Sequence, residues 1–141
     1  MNKSSYVLFR LVLLSVSIAH LIIGGIACIP GMPVVKLAEI FYKASVTLNP
    51  QMEHIMQMFG AYMLTVGILA ILASLDPVKN KAITHGIILL LVLRVFQRVA
   101  FARQAWTVFR ISTGWYWAHT IFFSLIAVVL FLLCPKGESS A

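Results

Sequence analysis

The stretch from Tyr6 to Cys28, YVLFRLVLLSVSIAHLIIGGIAC, decides the fold. It is apolar from end to end apart from Arg10, three small hydroxyl or imidazole side chains and a pair of glycines. A helix rising ~1.5 Å per residue needs ~20 such residues to cross ~30 Å of hydrocarbon, and this segment has them. Three more segments repeat the pattern: His54 to Leu75, Ile83 to Phe101 and Trp115 to Cys134. The connections are too short to hold a soluble domain. The sequence therefore reads as a single all-α unit over residues 1–141, an integral membrane four-helix bundle with a short amphipathic helix in its first loop. With an even number of spans, both termini lie on one side.

Composition points the same way. Hydrophobic residues make up 61% of the chain and charged residues 11%, against about 25% charged in a soluble domain. The formal net charge of +7 comes from eleven basic and four acidic residues. On a chain with so little water-exposed length, that excess fits contact with lipid headgroups better than a nucleic-acid surface, so no nucleic-acid partner is expected. Cys28 and Cys134 stand at the ends of the first and last segments without CxxC spacing, so neither a metal site nor a redox site is read from them. The basic start and apolar run superficially resemble a secretory signal. The run outlasts the ~7 to 15 residues of a signal core and meets Pro30, Gly31 and Pro33 instead of a cleavage site, so it is expected to be a retained first span.

Outward from the first span, Ile29-Pro-Gly-Met-Pro33 stops the helix. From Val34 to Val46, apolar Val34, Leu37, Ile40 and Phe41 alternate with Lys36, Glu39 and Lys43 at the i, i+3, i+4 spacing of an amphipathic helix lying on a membrane surface. Asn49-Pro50 breaks that helix, and Pro50 suits the first turn of the next, where Glu53 meets the positive end of the helix dipole. Asp76-Pro77 and Val78-Lys-Asn-Lys81 form a tight hairpin. Arg103 to Gly114 reads as a connection, and Trp106, Arg110 and the Gly114-Trp115-Tyr116-Trp117 cluster supply headgroup-depth anchors. The tail from Pro135 to Ala141 is short, polar and expected to be disordered. Placing the termini in the cytoplasm puts Lys3, Arg10, Lys79, Lys81 and Lys136 inside and Lys36, Lys43, Arg103 and Arg110 outside, so the positive-inside rule favours N-in and C-in.

Ionisable residues inside spans cost ~2.5 to 3.5 kcal/mol at helix centre for Arg, and so mark candidate sites. Here His20, Glu53, His54, Gln57, Arg94, Gln97, Arg98 and His119 all fall in the half of the bundle bordered by the first and third loops. Arg94 and Arg98 are four residues apart, with Gln97 beside them on one helix face. Glu53 and Gln57 share a face that continues at seven-residue steps through Gly60, Gly67 and Ser74, and Ser17, His20 and Gly24 form a similar stripe on the first span. Turning these stripes inward gives a pocket of Arg94, Arg98, Gln97, Glu53, Gln57, His20 and His119, with Glu53 countering one arginine. Its functional reading is a site for a polar-headed, lipid-soluble ligand such as a phospholipid, quinone or isoprenoid. The structural alternative is a Glu–Arg pair that locks the bundle, with Arg98 reaching toward the interface.

His20 and His119, at similar depth on different helices, have the placement by which a bundle can ligate haem or a metal. There is no HxxxH or ExxH pair, so a hydrogen-bonded helix-interface histidine is the preferred reading and neither a metal nor a cofactor is assigned. No Ser/His/Asp set, phosphate-cradling loop or carboxylate pair can be assembled from four acids, so no catalytic residue is assigned.

Gln57-Met-Phe-Gly-Ala-Tyr62, Asp76-Pro77 and Arg94-Val-Phe-Gln-Arg98, spread over about the middle half of the chain, resemble the pattern of small four-helix membrane proteins of the broad DoxX-like type. The layout is also similar to that of the small four-helix scaffold proteins of sterol biosynthesis. The resemblance implies a four-helix membrane bundle, either of unknown activity or acting as an accessory to a membrane complex, and it carries over no catalytic residue. The leading expectation is therefore a non-enzymatic accessory or scaffold subunit with membrane-protein partners or self-association. The alternative is a protein that binds, or an enzyme that acts on, a lipid-soluble ligand through the polar pocket.

Overall fold

The computed structural model describes residues 3–134. The polar tail and Lys136, on which expectations were placed, lie outside the described residues. Within them are six helices and no strand: α1 (Lys3–Cys28), α2 (Met32–Tyr42), α3 (Pro50–Leu75), α4 (Lys81–Ala100), α5 (Ala102–Phe109) and α6 (Thr113–Leu133). Four of these, α1, α3, α4 and α6, are long and apolar enough to cross a membrane.

Local chemistry sets the helix ends. Asn49 caps α3 through its side-chain oxygen, which accepts from the Met52 N–H at 2.8 Å, and Pro50 follows in the first turn, where its missing N–H costs nothing. Gly31 enters α2 at φ +88°, a conformation that favours glycine. α2 is shorter than the 34–46 expected from periodicity. Lys43 turns into the left-handed region at φ 51° and closes the helix with its N–H on the Glu39 carbonyl, and the chain from 44 to 49 is irregular.

α5 corrects the reading of 103–114 as a plain connection. Ala102, Ala105, Trp106 and Phe109 follow i, i+3, i+4, i+7 spacing, and all four are buried or half-buried while Arg103, Gln104, Thr107 and Val108 face out. Arg110, at φ 50°, ends this helix as Lys43 ends α2. The two connections meet where the Ser45 N–H donates to the Phe109 carbonyl at 2.9 Å.

The long helices form a closed ring in which α1 packs on α3, α3 on α4, α4 on α6 and α6 on α1, with α1–α3 the most extensive of these contacts. That seam is made by small residues. A Cβ built on Gly60 would lie 2.8 Å from the Gly24 carbonyl oxygen, and one on Gly24 would lie 2.8 Å from the Leu64 nitrogen, so only glycine permits this backbone approach. Ser17 adds a hydrogen bond across the seam, donating to the Gly67 carbonyl at 2.8 Å. An apolar core of Phe9, Leu13, Ala70, Ala73, Leu91 and Leu130 fills the end where α1 begins and α6 finishes. At that end the His85 ring lies 3.9 Å from Cys134 Sγ, so the start of α1 and the end of α6 share a side with the α3–α4 hairpin. Both cysteines are free. Most of the apolar residues of the four long helices are not buried inside the bundle, and side chains such as Phe96 and Leu132 point outward about 70% exposed.

Candidate functional site

The opposite end of the ring holds the polar residues. Arg98 is buried there, at 8% exposure, and its charge is housed by α6. Its Nε donates to Thr120 Oγ1 at 2.9 Å and its Nη2 to the Tyr116 carbonyl at 3.0 Å, while the guanidinium lies 4.2 Å from the Tyr116 ring centroid. Tyr116 in turn donates its hydroxyl to the Arg98 carbonyl at 2.6 Å. Tyr116 and Thr120, both buried, are four residues apart on α6 and so project together toward α4.

Arg94, one turn earlier, is half-buried and differently placed. Its guanidinium sits 4.3 Å from the Phe123 ring centroid, and Nη2 donates to the Tyr42 hydroxyl at 3.3 Å, so the last residue of α2 reaches over the bundle end to meet it. Tyr42 also stacks on His119 with ring centroids 4.9 Å apart.

The expected Glu53–arginine pair does not form. Glu53 Oε1 accepts from the Gly31 N–H at 2.6 Å, and among the described residues no carboxylate pairs with Arg94 or Arg98. Helical phase gives the reason. Glu53 and Gln57 lie on the face that continues through Gly60 and Gly67, and that face packs on α1: Cys28 Sγ is 2.8 Å from a Cβ built on Gly60 and 3.9 Å from the Gln57 carbonyl. Arg94 and Arg98 instead turn to α6, over the Phe123 and Tyr116 rings, and share with Phe59, Met63 and Val66 of α3 only the lining of a groove. Glu53 and Gln57 thus leave the site that Arg94, Gln97 and Arg98 form.

The histidines separate as well. His20 is 5% exposed, with Nδ1 2.7 Å from the Val16 carbonyl. A carbonyl only accepts, so Nδ1 donates here, and the buried Nε2 has no hydrogen-bond partner among the described residues. His119 is half-buried at the surface of α6, with Nδ1 2.8 Å from the Trp115 carbonyl and its ring between Tyr42 and Trp115. No group of three or more His, Cys, Asp or Glu side chains able to hold a metal occurs among the described residues.

Arg94, Gln97 and Arg98 line one end of an open groove of about 440 Å³ between α3 and α4, with Phe59, Tyr62 and Met63 across from them. Val66 and Leu90 continue its wall into a second hollow of about 280 Å³, lined only by Val66, Leu69, Ile83, Gly86, Ile87 and Leu90. The two hollows lie side by side along the α3–α4 cleft, one with Arg94, Gln97 and Arg98 in its lining and the other wholly apolar. Gln97 also lines a separate recess of about 320 Å³ beside Phe101, Gln104, Ala105, Phe109 and Tyr116. Sequence reasoning missed Tyr42, Tyr116, Thr120 and Phe123. The Tyr116–Thr120 spacing was legible, whereas the arrival of Tyr42 depends on how the first loop folds back.

No protein-family model, curated protein or solved structure matches the chain.

Proposed function

We propose that this is a multi-pass membrane protein that binds a polar-headed, lipid-soluble ligand in the lateral cleft between α3 and α4. The outward faces of its four long helices are apolar, and hydrocarbon is the solvent that such faces suit. The observation that carries the ligand reading is the juxtaposition of the two hollows: Arg94 and Gln97 line one of them, and the apolar one beside it, past the shared Val66 and Leu90, is walled by Leu69, Ile83, Gly86 and Ile87. Its opening faces sideways, so a ligand enters from the bilayer without crossing water. An N-in, C-in orientation, the one that the positive-inside rule favours, would put the cationic end in the outer half of the membrane.

The test uses the full-length tagged protein, extracted in mild detergent, with bound lipid-soluble molecules identified by mass spectrometry. Gly86→Leu is the informative variant, because a Cβ on Gly86 meets nothing within 4 Å and a larger side chain would occupy the channel without displacing backbone. A molecule held at unit stoichiometry by the wild type and lost from Gly86→Leu, with helicity unchanged, supports the reading. Equal retention by both proteins contradicts it.

An accessory or scaffold role is the second reading, and the platform formed by α2 and α5 favours it. Linked through Ser45 and Phe109, the two short helices present Ile40, Phe41 and Val108 exposed at one end of the bundle, where a membrane partner or a second copy could dock. The same purification would then yield partner subunits in fixed ratio.

A further inference from the structure

Resting on that reading, we infer that the occupant of the α3–α4 cleft is a lipid whose phosphate headgroup bears a net negative charge, its phosphate at Arg94 and Gln97 and its acyl chain along Val66, Gly86 and Leu90. The argument begins with charge. Arg94 and Arg98 are like charges one turn apart, which repel. The chain has four acids to offset them, Glu39, Glu53, Asp76 and Glu138. Glu53 is committed to Gly31, Asp76 accepts from the Lys79 N–H at the far end of the bundle, Glu39 is exposed on α2, and Glu138 lies outside the described residues. Guanidinium groups in a low-dielectric setting without a counter-anion are costly, so the site favours an anion supplied from outside.

The two arginines differ in what they can still offer. Arg98 is turned toward α6, with Nε and Nη2 engaged and its cation stacked on Tyr116. Arg94 makes one hydrogen bond among the described residues, long at 3.3 Å and to a neutral hydroxyl. A guanidinium carries five N–H donors in a planar fork, so most of the Arg94 donors have no partner among the described residues, with the group lying over the Phe123 ring, 4.3 Å from its centroid. Phosphate oxygens match that fork in charge and geometry, and the exposed Gln97 amide can donate to a further oxygen. A quinone or an isoprenoid alcohol would bring an acceptor and leave both charges uncompensated.

The apolar length selects a lipid over free phosphate. From Gln97 back to Ile83 along α4 the cleft extends for roughly 21 Å at ~1.5 Å per residue. Beyond the cationic end its walls are aliphatic side chains and Gly86, which an inorganic ion would leave unfilled.

The experiment reads lipid retention by native mass spectrometry on the full chain in maltoside micelles, with phosphatidylglycerol, phosphatidylcholine, a long-chain quinone or inorganic phosphate as probe. Phosphatidylglycerol should be retained about tenfold over phosphatidylcholine, a modest return for one charge-assisted pair. Arg94→Gln should bring that ratio close to one, Arg94→Lys should keep most of it, and Gly86→Leu should lower retention of both lipids. Equal retention of the two lipids by the wild type, or protection against unfolding by inorganic phosphate equal to that by phosphatidylglycerol, would overturn the inference. Quinone retention that Gly86→Leu abolishes, without phosphatidylglycerol preference, would refute the anionic headgroup and leave the cleft as a binding site. Retention of no probe would refute both.

Discussion

Arg98 and Tyr116 bind one another twice, the guanidinium donating to the Tyr116 carbonyl and the Tyr116 hydroxyl donating back to the Arg98 carbonyl, with the cation 4.2 Å from the ring centroid. Each hydrogen bond ends on the other residue's backbone, so the side chains couple only through the ring. Tyr116→Phe should therefore cost about 1 kcal/mol and Arg98→Gln about 2 to 3 kcal/mol, and their effects should add. Replacing the ring as well, in Tyr116→Leu combined with Arg98→Gln, should cost less than the sum of the single changes by about 1 kcal/mol. Unfolding in detergent, followed by circular dichroism, measures both cycles, and the same coupling in each would refute this division.

The α1–α3 seam admits no side chain at Gly24 or Gly60, where an added Cβ would meet backbone atoms at 2.8 Å. Gly60→Ala should destabilise the protein by about 1 to 3 kcal/mol, the usual range for overpacking. Gly25→Ala, one residue from Gly24 but with nothing within 4 Å of its Cβ, should be neutral or stabilising. Equal melting temperatures for the two variants would show that the seam is looser than described.

Glu53 and Arg94 stand on different interfaces, and their substitutions should be independent. Glu53→Gln should lose about 1 kcal/mol as the Gly31 N–H exchanges a charged acceptor for a neutral one. Added to Arg94→Gln, its cost should be the sum of the two within about 0.5 kcal/mol. A strong coupling would restore the ion pair that the sequence invites.

That pair shows where sequence reading stops. Lengths and hydropathy made the four long helices plain, Asn49-Pro50 and Asp76-Pro77 punctuated the chain close to where α3 begins and ends, and the glycines at 60 and 67 announced a tight seam. All of these signals are local. The clustering of polar residues in one half of the bundle was also legible, because depth follows from counting along each helix. Which stripe faces which neighbour was not, since that depends on helix rotation and on which helix lies alongside. The Glu53 face turned to α1, while Arg98 turned to Tyr116 and Thr120 on α6. α5 escaped notice for another reason: eight residues give only two apolar turns, and its arginine and two aromatics resemble an interfacial loop.

Lys43 and Arg110 end α2 and α5 with positive φ angles of 51° and 50°. Left-handed backbone costs a residue bearing a Cβ about 1 kcal/mol, so Lys43→Gly should stabilise the first loop while keeping the N–H bond to Glu39. A raised melting temperature with unchanged helicity is the expected result, and a lowered one would mean that the Lys43 side chain contributes more than its backbone strain costs.

Whether the α3–α4 cleft holds a specific lipid-soluble ligand is read by site-specific photo-crosslinking in native membranes. A photoreactive amino acid at Leu90, in the cleft wall, is compared with one at Leu125, on the outward face of α6. The account expects a single adduct mass at Leu90 that disappears in Gly86→Leu, and a mixture of bulk-lipid masses at Leu125. The same mixture at both positions would mean that the cleft is simply wetted by the bilayer, and would contradict the account.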